Sequence, residues 1–149
     1  SEMQPENINE EALQKNIALL TSMVQAHPET TFKFFFSPYS MLWWDNAYRT
    51  GERDAVIYNE KQAVKALLAY DNVEIYYYQD ARKIITNLDL YMDMIHFSKD
   101  INYWVYDKLA KGEDRLTAEN YEDRLEGMRT LSQEIVETEI QRSLSSTGQ

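Results

Sequence analysis

The chain has 149 residues, 44% hydrophobic and 27% charged, a balance that suits one folded domain and excludes a disordered polymer. A formal net charge of −10, from 25 acidic and 15 basic side chains, repels a phosphate backbone, so no nucleic-acid partner is expected. The absence of cysteine rules out disulfides, thiolate metal sites and a thiol nucleophile, and leaves the compartment open.

No window approaches the roughly 18 consecutive apolar residues of a membrane span. The opening SEMQPENINEE has neither the basic stretch nor the apolar run of a signal peptide. Residues 9–26 place Leu13, Ile17, Leu20 and Val24 at helical spacing, with Asn7 or Asn9 as the cap and His27-Pro28 as the stop. TTFKFFF follows, a β-branched and aromatic run between Pro28 and Pro38 that predicts a parallel strand buried on both faces.

SPYSMLWWDNAYRTG opens with a turn and reads as a loop or short helix ending at Gly51. Residues 53–69 predict a second amphipathic helix through Ala55, Tyr58, Ala63, Leu67 and Leu68. NVEIYYY then alternates Val73, Ile75 and Tyr77 against Asn72, Glu74 and Tyr76, as a strand does, and a helix between two strands implies a right-handed parallel crossover. A short helix near 80–86 follows. Ser98 is placed to cap a helix over 99–111 ending at Gly112, and Thr117 one over about 118–142 with a stripe of Tyr121, Leu125, Met128, Leu131 and Ile135. Residues 143–149 predict a disordered tail.

NLDLYMDMIHFSKD, residues 87–100, sets Asp93 three positions before His96. In a tight turn after a strand, the carboxylate can accept a hydrogen bond from Nδ1 and leave Nε2 free to take a proton from a hydroxyl. The plainer alternative has Asp93 capping a turn and His96 as a satisfied polar loop residue. Ser37 and Ser40 lie just past a strand's C-terminal end, where open α/β sheets bind ligands, but lack the glycines of a nucleophile elbow. Ser37 and Tyr39 are therefore candidates for lining a site. Tyr39, Trp43, Trp44 and Tyr48 could stack on a sugar, although aromatics at this spacing ordinarily pack. One histidine with scattered carboxylates specifies no metal, and no cofactor is expected.

The Asp-x-x-His after the last α/β unit, leading into a helix through Phe97-Ser98, resembles the C-terminal block of SGNH or GDSL-type hydrolases. HPETTFKFFFSPYSMLWWD, YDNVEIYYYQD, ITNLDLYMDMIHFSKDIN and AKGEDRLTAENYE together resemble the C-terminal half of bacterial SGNH-like envelope proteins, over about residues 9–126. The resemblance implies an incomplete flavodoxin-like three-layer α/β sandwich with about two parallel strands, spanning 1–149 as one partial domain. It gives Asp93 and His96 two of three triad roles in an esterase or O-acyltransferase acting on acylated carbohydrate at the cell envelope. The family's Gly-Asp-Ser block and its oxyanion Gly and Asn have no counterpart here, and Gly51, Gly112, Gly127 and Gly148 do not supply them. The chain alone is thus expected to be inactive. Its expected partner is the N-terminal half of the same domain or a second copy, because open sheet edges favour pairing. The alternative function is a non-catalytic binding or assembly module of the envelope.

Overall fold

The structure, a computed structural model, describes residues 4–146. It is mixed α/β, in the order α1 (Glu10–Ala26), β1 (Phe32–Phe36), α2 (Met41–Arg49), α3 (Arg53–Leu67), β2 (Val73–Tyr77), α4 (Arg82–Ile85), a 3-10 turn (Leu88–Leu90), α5 (Lys99–Lys111), β3 (Arg115–Leu116), α6 (Tyr121–Ile135), a π turn (Val136–Ile140) and α7 (Gln141–Ser146). Among the described residues no helix is long and apolar enough to cross a membrane.

The sheet has the order β1-β2-β3. β1 and β2 are parallel, with Phe32 opposite Val73 and Phe36 opposite Tyr77. β3, which is not among the predicted elements, adds antiparallel through Ile75–Leu116 and Tyr76–Arg115. Two residues show too short a pattern to register as a strand. The chain reaches β3 through left-handed backbone at Gly112 (φ 68°), which closes α5, and at Asp114 (φ 63°).

β2 is the central strand, and its two tyrosines, with Tyr78 just past its end, divide between two cores. Val73, Ile75 and Tyr77 join Trp44, Ile57, Val64, Leu125 and Met128 on the face covered by helices that include α2, α3 and α6. Tyr76 and Tyr78 pack on Ile101 and Val105 of α5 on the other face. β1 departs from the expected strand buried on both faces: it lies at the sheet edge, with Phe32, Phe34 and Phe36 half-buried and Lys33 and Phe35 exposed. A run this rich in phenylalanine does not reveal that cover is missing on one side, because exposed apolar side chains are common on protein surfaces.

The helix limits mostly agree with the spacing. Asn9 caps α1, its Oδ1 accepting from Ala12 N at 3.0 Å. Of the predicted α3 stripe, Ala55 and Leu67 are buried while Tyr58, Ala63 and Leu68 are half-buried, and Ile57, Glu60 and Val64 complete the inward face. A glutamate inside the buried stripe hides it from apolar periodicity. Thr117 does not cap α6. That helix starts at Tyr121 behind Asn120, whose Oδ1 accepts from Thr117 N at 2.8 Å. Residues 141–146 continue as helix where a disordered tail is predicted from 143, and 147–149 lie outside the described residues. Trp44 is fully buried and Trp43 packs against both it and Tyr39, each with centroids 4.9 Å apart, so these aromatics fill space rather than offering a flat sugar platform.

Candidate active site

The segment 91–97 is a closed loop. Tyr91 and Phe97 form an isolated antiparallel bridge, Met92 N donates to His96 O at 2.7 Å, and Ser98 N donates to Leu90 O at 2.8 Å. Inside it Asp93 folds back on its own backbone: Oδ1 accepts from Ile95 N at 2.9 Å and His96 N at 2.8 Å. This is the Asx-type turn that short carboxylates favour. The other oxygen, Oδ2, lies 2.6 Å from His96 Nδ1.

Hydrogen bonds from the His96 amide, the His96 ring and the Ile95 amide lower the Asp93 carboxyl to about 2, so it is ionised at neutral pH. A carboxylate only accepts, so the shared hydrogen belongs on Nδ1, which leaves Nε2 with its lone pair. Both side chains are exposed, His96 by 65% and Asp93 by 54%, so Nε2 is open to an incoming group.

Two staples fix the loop against the segment after β1. Ser40 donates twice to Met94 O, from its amide at 3.1 Å and from Oγ at 2.8 Å, and Tyr91 Oη donates to Pro38 O at 2.6 Å. Burial pushes the Tyr91 hydroxyl well above its ordinary range, which keeps it a donor. Since β1 and β2 are parallel and residues 37–40 follow β1, the staples hold the Asp93–His96 pair at the C-terminal end of the sheet.

Ser40 is buried and its hydroxyl is committed to Met94, so it acts as a fastener. Ser37 and Tyr39 are half-buried on either side of Pro38; Ser37 O accepts from Tyr39 N at 2.9 Å. Their segment is brought to the loop, yet the side-chain hydrogen bond of His96 goes to Asp93 and to neither hydroxyl. Ser98 precedes α5 with extended N-cap backbone, but its hydroxyl makes no capping bond and is buried without a partner. Among the described residues no group of three or more His, Asp or Glu is gathered as a metal site. A cavity of about 860 Å³ is lined by Tyr58, Lys61 and Arg129, apart from the loop.

A second cluster has no signal in the sequence. Glu60 is buried on α3, with Oε2 3.4 Å from Tyr77 Oη, which donates to buried Gln79 Oε1 at 3.0 Å. Burial pushes the Glu60 carboxyl up to about 8, against the pull of its bonds to Gln79 and Tyr77. Arg124 grips Asp80 in a fork at 2.8 and 2.9 Å and donates to Tyr77 O at 3.2 Å. Only helix spacing on α3 and α6, read together with burial, points to these residues.

Compared with known proteins, the chain matches no protein-family model, no curated sequence and no solved structure.

Proposed function

We propose that this chain carries the Asp–His part of a serine-type acyl-transfer site, in a protein of SGNH-like, flavodoxin-related architecture that acts as an esterase or O-acyltransferase. The observation that carries this reading is the 2.6 Å contact between Asp93 Oδ2 and His96 Nδ1 beside an open Nε2. Asp93 orients the ring and stabilises its charge once protonated. His96 takes the proton of an attacking hydroxyl and returns it to the leaving oxygen. The hydroxyl comes from outside these residues, since Ser40 is tied to Met94. The resemblance of the segments around Pro38, Asp80 and Asp93 supports acylated carbohydrate at the cell envelope as the substrate class.

The test is an aryl-acetate assay on the full polypeptide that the gene encodes, beside the 149-residue chain alone. The full polypeptide is expected to turn over ester, with His96→Ala lowering kcat by about 10³-fold or more and Asp93→Asn by about 10²–10⁴-fold, while the chain alone stays silent. Turnover indifferent to His96→Ala, or none in the full polypeptide, overturns the reading. The second reading, a non-catalytic binding or assembly module, is favoured by the bonds of Asp93 Oδ1, which brace the loop as a turn cap does.

A further inference from the structure

The free edge of β1 is built for pairing. Phe32 N donates to Asn72 O at 2.8 Å and Phe36 O accepts from Tyr78 N at 3.2 Å, so the peptide groups of Phe32, Phe34 and Phe36 face β2. Alternation along a strand then turns the N–H and C=O groups of Lys33 and Phe35 outward, where no strand of the sheet meets them. The strand carries no proline, and Phe35 is 41% exposed. A lysine commonly guards such an edge. Here the Lys33 ammonium is drawn onto its own sheet face, 3.6 Å from Glu74 and 6.0 Å from the Tyr76 ring centroid.

We propose that this edge binds a second copy of the chain, the two β1 strands pairing antiparallel about a two-fold axis through Phe34. The register follows from the residues. Centring on Phe34 overlaps all of Phe32–Phe36, sets Phe32 opposite Phe36 and sets Lys33 opposite Phe35. The outward groups of Lys33 and Phe35 then exchange both hydrogen bonds at each of two symmetric pairs. Each ammonium faces an aromatic ring rather than its own copy. Centring on Lys33 would oppose two like charges. Centring on Phe35 would recruit Ser37 and Pro38, whose carbonyls are already taken by Tyr39 N and Tyr91 Oη. The contact is isologous and closes at two copies. It stands independently of the acyl-transfer reading.

The 149-residue chain is tested by sedimentation across a dilution series, with amide hydrogen exchange read at Lys33 and Phe35. Expected are a species of twice 17.6 kDa and protection of both amides that is lost on dilution. Phe35→Lys, which opposes an ammonium to Lys33, should raise the dimer Kd at least about tenfold, while Phe35→Glu, which opposes a carboxylate to it, should stay within about threefold of the parent. A chain that is monomeric throughout, with both amides exchanging freely, overturns the proposal and leaves the edge to some other strand. So does a dimer indifferent to Phe35→Lys, or one that both substitutions break equally. Should Phe35→Lys fail to fold, protection at Lys33 and Phe35 in the parent chain decides.

Discussion

Asp93 and Glu60 are two carboxyl groups in one small domain, displaced in opposite directions. In the loop, Asp93 is open to water and collects two amide donors and an imidazole, so its charged form is favoured and its carboxyl falls to about 2. Under α3, Glu60 is sealed against Tyr77 and Gln79, so loss of water favours the neutral form and its carboxyl rises to about 8. Donors outweigh burial at one site and burial outweighs donors at the other. Hydrogen-bond supply and solvent access, rather than residue type, decide which carboxylate can support an imidazolium and which holds a proton at neutral pH.

The largest expected effect breaks the Glu60 side of this contrast. Between the ordinary glutamate value of 4.5 and about 8, the folded state keeps a proton that the unfolded chain has released. Its contribution to stability is whole below 4.5 and is lost as pH rises towards 8, at roughly 1.4 kcal/mol per pH unit. Glu60→Gln stays neutral at every pH, so in urea titrations its stability relative to the parent should climb with that slope from pH 5 to about 8 and level off above it. A flat difference would mean that Glu60 is not proton-holding. Next, Tyr77→Phe removes the donor to Gln79 and should cost about 1–3 kcal/mol by the same titration, since it leaves a buried acceptor unpaired.

Two smaller effects sharpen the Asp93 side. Ser40→Ala deletes the Oγ bond to Met94 O, and a loss of about 1 kcal/mol is expected with faster amide exchange at Ile95 and His96. Unchanged exchange there would show that the Ser40 amide and the Tyr91 staple hold the loop without the Oγ bond. Asp93→Asn should have the smallest effect on global stability, because the pair is exposed. Its signature is at acid pH: the parent's Asp93 term is present above 3.8 and is lost as pH falls towards 2, and the variant should lack that component in acid-unfolding curves.

What could be read along the chain was whatever a few neighbouring residues decide. α1 with Asn9 and His27-Pro28 and the Asp93–His96 contact complete their hydrogen bonds within a short span, and β2 shows its alternation over a few residues although its ladder partners are remote. Each is therefore written in local spacing. The place of β1 at the edge, the pairing of β3, and the burial of Glu60 in a stripe that looks interrupted depend on which elements meet. So does the staple from Ser40 to Met94, which joins residues 54 apart. Spacing thus offered the meeting of a carboxylate and an imidazole in a turn as one of two readings. Tertiary packing decided that the turn is locked to the C-terminal end of a sheet and that the outer edge of β1 is left open, because cover and hydrogen-bond partners come from residues remote in the chain.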